Sequence, residues 1–319
     1  MIFILDKVIQ KHYIIRTKLT KTTIAMKRHI CFFSIFLAAC GAQEQVKQEL
    51  NPESLVGTWE RVSYVDSDIS DTAWVDQNPK IIFLKHLTPT HFTWLSFNTE
   101  TEELNGTGGG TYQYDGTTYT EDIMYFYPTG SSIQGQTIPF TVDFVNGNWH
   151  HVGYFQNTEY DPEMVEIIRT DTSLIEEMWK RVPASEEVSD LVGTWELVSQ
   201  RKRDDSTRIE LPPFMKYYKL VTPTHFNWVQ INMEDNEVYA QGGGTFIVEG
   251  NTYTEKLLYH HPVEEALRGL VIPFNFKMEN ERWYHRGTFI RPISDKAGNK
   301  TGLDTVYIDE VWQRWKPQN

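Results

Sequence analysis

The chain is poor in cysteine. It carries only two, Cys31 and Cys40, and both fall within the first forty of its 319 residues. The rest of the chain therefore contains no disulfide, no thiol nucleophile and no cysteine-ligated metal. We expect its folded parts to be stabilised by packing alone.

Positive charge is also scarce. Lys and Arg number 30 against 43 Asp and Glu, which gives a formal net charge of −13. A protein this acidic is repelled by nucleic acid and by anionic membrane surfaces, because both are negatively charged. The composition therefore argues against a nucleic-acid partner.

Motifs of cofactor and nucleophile chemistry are missing as well. No Ser, Cys or Lys lies in a nucleophile motif, and no His-Glu-x-x-His type of signature marks a metal site. The glycine runs Gly108–Gly110 and Gly242–Gly244 lack the lysine and the helix start of a phosphate loop, so we interpret them as β-bulges or tight barrel corners. The sequence motifs thus predict no catalytic residue, no cofactor and no metal ligand.

What the chain does contain is a long internal repeat, in which the same motifs recur in the same order. They are Leu-Val-Gly-Thr-Trp-Glu at 55–60 and 191–196, Thr-Pro-Thr-His-Phe at 88–92 and 222–226, Gly-Gly-Gly-Thr at 108–111 and 242–245, Thr-Tyr-Thr-Glu at 118–121 and 252–255, Ile-Pro-Phe at 138–140 and 272–274, and Trp-x-His-x-Gly at 149–153 and 283–287. A period far above 50 residues indicates duplicated domains rather than a solenoid.

The repeats set the domain boundaries. The first domain covers residues 55–182 and the second covers residues 191–319, and each is long enough for a core of its own. Residues 183–190 between them are short, polar and acidic, as expected of a linker. We therefore expect the two halves to fold separately.

The first forty residues have the features of a targeting segment. Met26–His29 is charged, Ile30–Phe36 is apolar, and Leu37–Cys40 is a small-residue cleavage site that ends in cysteine. This pattern resembles the bacterial lipoprotein signal, which implies that residues 1–39 are a signal or leader region with its start at Met26. It also implies that Cys40 carries the lipid and that residues 40–54 form a tether. The expected location is the outer membrane or cell envelope, periplasmic or surface-exposed. Without residues 1–39 the chain keeps 23 basic and 42 acidic residues, a net charge of −19.

Each repeat has the pattern of a strand meander. In the first repeat, β-type segments are separated by the turn signals Asp115-Gly116, Pro128–Gly130 and Asn146–Asn148. Eight sequential strands with tight hairpins favour an up-and-down barrel, which closes its own edges and encloses a cavity. The predicted fold class is all-β, with two tandem eight-stranded up-and-down β-barrels after the signal peptide.

The motifs carry a family resemblance. A Gly-x-Trp on the first strand, an eight-strand meander and an Arg on the last strand resemble the lipocalin superfamily. The fuller motif set is similar to that of an uncharacterised lipocalin-like domain family of Bacteroidetes lipoproteins, and the resemblance covers residues 55–315. It implies a structural pair at the barrel floor, in which the tryptophan packs beneath the arginine. These pairs are Trp59 with Arg181 and Trp195 with Arg314.

Alternation along three strands of each repeat predicts which side chains face inward. The inward faces combine aromatic rings with ionisable groups, and we predict that these groups bind a ligand. The candidate residues are Tyr119, Glu121, Tyr125, Trp149, His151 and Glu177, repeated as Tyr253, Glu255, Tyr259, Trp283, His285 and Glu310. A second interpretation is an internal hydrogen-bond network that fixes the core. His91 remains on a strand whose two faces are both mixed, and we interpret it as a strand cap after Pro89.

Three functions are compatible with these residues. The first is a membrane-anchored lipoprotein that binds a small polar or aromatic ligand, glycan- or lipid-derived, in its barrels. The second is a structural or accessory subunit of an envelope complex, with filled barrels and a protein partner. The third is an acid–base or metal-assisted enzyme that uses the inward Glu and His residues. We rank the binding protein first and an enzyme last.

Overall fold

The computed structural model of the protein describes residues 55–316, with gaps at 68, 71, 102, 161–166, 185–188, 202–206, 263–266, 268 and 295–299. The predicted signal, Cys40 and the tether lie outside the described residues, as do residues 185–188 of the predicted linker. The strands are β1 (Gly57–Val65), β2 (Trp74–Asp76), β3 (Ile81–Leu87), β4 (His91–Asn98), β5 (Leu104–Tyr114), β6 (Thr118–Tyr127), β7 (Thr137–Val145), β8 (Asn148–Tyr160), β9 (Ile167–Arg181), β10 (Gly193–Gln200), β11 (Met215–Val221), β12 (His225–Asn232), β13 (Glu237–Glu249), β14 (Thr252–His261), β15 (Val271–Glu279), β16 (Arg282–Ser294) and β17 (Lys300–Arg314).

The strands form two closed antiparallel barrels in tandem. In the first, β1 and β3–β9 follow one another in chain order, and β1 pairs with β9 to close the ring. The second closes in the same way through β10 and β17. The predicted fold class is therefore confirmed for both barrels. The short strand β2, which pairs with the end of β1, was not predicted. Within the described part of the chain, no helix is long and apolar enough to cross a bilayer.

One end of each barrel is closed by the predicted tryptophan–arginine pair. The Arg181 guanidinium lies 4.2 Å from the centre of the Trp59 ring and donates a hydrogen bond to the carbonyl of Val56. In the second barrel the Arg314 guanidinium lies 4.4 Å from the Trp195 ring. A cation over an indole contributes about 0.5–1 kcal/mol when exposed and about 2 kcal/mol when desolvated, so these half-buried pairs stabilise the barrel floors.

The glycine runs form β-bulges, as predicted. Between β5 and β6 the register shifts, because Gly109 lies opposite Tyr125 whereas Gly110 lies opposite Ile123. A Cβ on Gly110 would overlap the carbonyl oxygen of Asp122, so only glycine fits there. The bulge reverses the alternation of β6 beyond Met124. The second barrel has the same shift between Gly243 and Gly244.

The two barrels pack against each other with approximate two-fold symmetry. The hydroxyls of Thr58 and Thr222 are 2.7 Å apart, and so are those of Thr194 and Thr88, the same pair with the repeats exchanged. Two apolar clusters each combine residues of both barrels, and together they contain Leu84, Leu95, Phe97, Leu104, Tyr125, Tyr218, Leu220, Val229, Ile231, Val238 and Tyr259. Reciprocal contacts of this kind are the mark of an isologous interface. The interface therefore joins the barrels into one packed unit.

This interface explains why β4 has two apolar faces. Phe92 and Trp94 point into the barrel and pack in its core. Leu95 points outward and packs beside Tyr259 of the other barrel. The ring of His91 lies 4.5 Å from that of Trp315, near the end of the second barrel. His91 is thus an interface residue, as well as the first residue of its strand.

Candidate functional site

A buried lysine lies at the centre of the first barrel. Lys85, on β3, is only 3% exposed, and its Nζ donates a hydrogen bond to Oε1 of Glu121 at 2.8 Å. Five aromatic rings surround the ammonium group at 5.1–5.8 Å, namely Phe92, Tyr119, Phe140, Trp149 and Trp179. Aromatic faces attract cations, so this cage and Glu121 together hold the lysine as a buried ion pair.

A second charged group lies beside this pair. Glu177, on β9, accepts a hydrogen bond from Nη1 of Arg61 at 2.7 Å, and its other oxygen lies 2.8 Å from Nε2 of His151. The Arg61 guanidinium also lies 3.9 Å from the centre of the Phe83 ring. Arg61 therefore holds Glu177 as Lys85 holds Glu121, and the barrel contains two cations and two carboxylates.

Burial and charge set the protonation states of these groups. Burial lowers the pKa of His151, and the positive charge of Lys85 lowers it further, although Glu177 opposes both effects. For Glu177, burial raises the pKa, but the hydrogen bond to His151 and the charge of Arg61 outweigh it, so this pKa falls below its usual range. At neutral pH the site therefore contains a neutral histidine beside an ionised carboxylate.

The two carboxylates border a cavity of about 190 Å³ that is partly open to solvent. Its wall consists of aromatic and aliphatic side chains, and its polar edge consists of three charged groups. The lining residues are Phe83, Lys85, Trp94, Glu121, Ile123, Phe126, Ile133, Ile138, Phe140, Ile175, Glu177 and Trp179. Ile133 belongs to the β6–β7 loop. An apolar cavity with a few convergent polar groups is the usual form of a small-molecule site.

The structure brings together most of the predicted residues of the first barrel. Glu121 and Glu177 line the cavity. Tyr119, Trp149 and His151 are buried but do not line it, and their rings contact one another at centroid distances of 5.1–6.5 Å. The charge of Glu121 adds to burial in raising the pKa of Tyr119.

Two predicted residues lie outside the barrels, which corrects the predicted inward face. Tyr125 donates a hydrogen bond to Thr93 and packs against the second barrel, and Tyr259 occupies the same place on the other side of the interface. The bulge after Ile123 reverses the alternation, so Phe126 faces the cavity in place of Tyr125. Gly109 leaves room for the phenol, because a Cβ there would lie 2.5 Å from the Tyr125 hydroxyl.

The two cations of the site were not predicted from the sequence. Lys85 and Lys219 each precede a Thr-Pro-Thr-His-Phe motif by three residues, so their recurrence in both repeats is a signal that would have identified them. Arg61 has no such signal, since the second repeat carries Leu197 at its position. Only residues that the two repeats share carry such a signal.

The second barrel keeps the ion pair but changes its surroundings. Lys219 donates to Glu255 at 2.9 Å, within a cage formed by Phe226, Tyr253, Trp283 and Trp312. Glu310 lies 3.3 Å from Nδ1 of His285 and accepts a hydrogen bond from the Trp312 indole at 3.1 Å. Leu197 and Tyr217 stand where the first barrel has Arg61 and Phe83.

Across residues 55–316, apart from the gaps given above, no group of three or more His, Cys, Asp or Glu side chains is arranged to hold a metal ion. Within the first barrel the two carboxylates instead contact Lys85 and Arg61.

Comparisons with known proteins give a distant structural likeness. No family model matches the chain, and no curated protein matches it. Among solved structures, it is similar to the crystal structure of the uncharacterized protein YLR301w from Saccharomyces cerevisiae, with 10% sequence identity and a TM-score of 0.38, over 81% of this chain and 97% of that one. A likeness this distant carries no functional argument, and the two-barrel architecture is established by the strand pairing itself.

Proposed function

We propose that this protein is a lipid-anchored binding protein whose first barrel holds a small uncharged ligand with a ring-sized apolar body and a hydrogen-bond donor. The observation that carries the proposal is the cavity of about 190 Å³ bordered by Glu121 and Glu177. A ring compound derived from a glycan or from a lipid belongs to this class.

The size and walls of the cavity define the body of the ligand. An apolar cavity of about 150 Å³ is enough to bind benzene, so this cavity accommodates one ring with a short substituent. Aromatic side chains such as Phe83, Trp94 and Phe126 form much of the wall. Flat aromatic surfaces favour a flat ring, through stacked or edge-to-face contacts.

The charged groups at the edge of the cavity define which substituent the ligand carries. Each carboxylate is held by one cation, Lys85 or Arg61, so the four groups have no net charge. An uncharged ligand therefore enters without adding an unpaired charge to a buried site, which would be costly. Ionised carboxylates accept hydrogen bonds, so a hydroxyl or an amide N–H on the ligand is favoured.

Filling the cavity tests this proposal. We expect benzyl alcohol to bind a soluble chain that keeps both barrels, residues 41–319, and to perturb the indole NMR signal of Trp179, which lines the cavity. Ile175→Trp places a larger side chain in the cavity, so it should abolish that response. Ile308→Trp, the same change in the second barrel, should leave it intact. A Trp179 response that survives Ile175→Trp would contradict the proposed site.

The anchor is part of the same proposal, and it rests on Cys40 after Leu37-Ala38-Ala39. We expect the wild-type protein to stay with the membrane fraction after a salt wash and Cys40→Ser to be released, because the thioether-linked lipid would be lost. Cys31→Ser is the matched control, since Cys31 would be removed with the signal. Membrane retention of Cys40→Ser would rule out the lipoprotein assignment.

The repeated motifs of this chain resemble those of the lipocalin-like domain family of Bacteroidetes lipoproteins. This resemblance supports membership of that family and a location in the cell envelope. Tandem eight-stranded barrels, with tryptophan and arginine paired at the floor, are the architecture that this assignment requires. The acidic character of the chain, a net −13 overall, disfavours any direct contact of the barrels with anionic lipid. The lipid would then be the sole attachment to the membrane.

A further inference from the structure

The two barrels differ at the position of Arg61, whose positive charge balances a carboxylate inside the first barrel. In the first, two cations, Arg61 and Lys85, face two carboxylates. In the second, Lys219 is the only Lys or Arg that pairs with Glu255 or Glu310 among the described residues. Leu197, which replaces Arg61, is buried and carries no charge. The interior of the second barrel therefore has one carboxylate in excess.

The residues around Glu310 do not supply the missing charge. Trp312 donates a neutral hydrogen bond to it. His285 is buried beside Lys219, and both conditions lower the pKa of its ring, so it stays neutral at neutral pH. Although burial raises the pKa of Glu310, the hydrogen bond with His285, the positive charge of Lys219 and the hydrogen bond from Trp312 bring this pKa below its usual value. Glu310 is therefore an ionised carboxylate without a cation of its own.

The residues that line the first cavity have close counterparts here. Eight of the twelve positions carry the same residue in both repeats, and the others carry Tyr217, Leu257, His260 and Leu267. Several of these side chains pack in one cluster at the centre of the second barrel, among them Leu257, Ile272, Phe274 and Trp312. The changes from Phe83 to Tyr217 and from Phe126 to His260 add polar groups at these positions. At the matching positions the second barrel therefore has a similar aromatic set with more polar groups and one uncompensated carboxylate.

From this asymmetry we infer that the second barrel binds a small organic cation, a protonated amine on a ring-sized apolar body, whereas the first binds the uncharged ligand. The inference rests on the proposed binding function and adds the ligand class of the second barrel. The ammonium group would pair with Glu310, where Arg61 pairs with Glu177 in the first barrel. Its apolar body would lie against Trp312 and Trp228, both of which contact the ring of Tyr217.

A matched pair of probes tests the inference. Benzylamine is charged at pH 7 and benzyl alcohol is neutral, and the two have nearly the same shape. In NMR titrations of the chain with both barrels, Trp179 reports on the first barrel and Trp312 on the second. We expect Trp312 to respond to benzylamine with at least about tenfold higher affinity than to benzyl alcohol, in line with the strength of a charge-assisted contact.

Exchanging the residues at positions 61 and 197 should exchange the ligand preferences of the two barrels. Leu197→Arg should weaken benzylamine binding at Trp312 by tenfold or more, whereas Leu197→Met, a control for size, should not. Arg61→Leu should create benzylamine binding at Trp179. A benzylamine affinity that Leu197→Arg leaves unchanged would overturn the inference. Benzyl alcohol binding at Trp179 without benzylamine binding at Trp312 would overturn it too, but would leave the proposed function of the first barrel standing.

Discussion

Replacing Lys85 with methionine should destabilise the first barrel by about 3–5 kcal/mol, the cost typical of breaking a buried ion pair from one side. Methionine fills much the same volume but leaves Glu121 charged within a ring of aromatic side chains. Urea unfolding of residues 41–319, followed by tryptophan fluorescence and circular dichroism, measures the effect. Lys219→Met should have a similar effect on the second barrel, since Lys219 is held in the same way.

The control is a lysine of the same region that lies at the surface. Lys80 pairs with Glu100, and both side chains are about 60% exposed. Surface pairs contribute about 1 kcal/mol or less, so Lys80→Met should change stability little. If Lys85→Met proved as mild as Lys80→Met, the Lys85–Glu121 pair would not be the buried, unsolvated contact described here.

Separating the barrels should produce self-association instead of a free monomer. Residues 191–319 alone would expose the side of the second barrel that packs on the first, including Tyr218, Val229 and Ile231. An isologous face is complementary to its own copy, and exposed apolar patches promote association. We therefore expect this fragment to run as a dimer or larger species in analytical ultracentrifugation, and to bind residues 41–182 when the two are mixed.

The linker predicts that each barrel folds separately, and the interface adds that a separated barrel does not stay monomeric. The motifs complete one barrel within each half, and each barrel has a core cluster of its own, so separate folding stays a prediction. Introducing Glu at Val229, which is fully buried in the interface, should convert the fragment to a monomer. A wild-type fragment that is monomeric and stable would show that the interface contributes little.

The barrels, their number and their order followed from the sequence, because each depends on features that recur. Strand alternation, hairpin turns and the paired Trp59 and Arg181 appear twice at a nearly constant offset. Because the chain contains two repeats, their sequences can be compared position by position. The positions that they share identified Glu121, His151 and Glu177 as inward residues. The burial of Glu121 and His151 in the structure agrees with that expectation.

What the sequence did not reveal depends on contacts between distant segments. Tyr125 has the correct spacing for an inward residue, but the bulge at Gly110 reverses the alternation before it. The two apolar faces of β4 could not be separated without knowing that a second barrel covers one of them. Arg61 differs between the repeats, and only the folded barrel shows that it lies beside Glu177.

We propose that the charged groups inside the first barrel serve a ligand, and a double variant separates this role from a structural one. Lys85→Met combined with Glu121→Met removes the ion pair without leaving a lone buried charge, and such replacements are often neutral or stabilising. It also removes an ionised hydrogen-bond acceptor for the ligand, a contact that contributes about 1.5–3 kcal/mol. The decisive measurement is the affinity of this double variant for benzyl alcohol, by NMR titration at Trp179, on protein whose unfolding midpoint has been recorded. We predict a stable barrel whose affinity for benzyl alcohol is reduced about tenfold or more. Unchanged affinity in a folded barrel would contradict a ligand role for these charged groups.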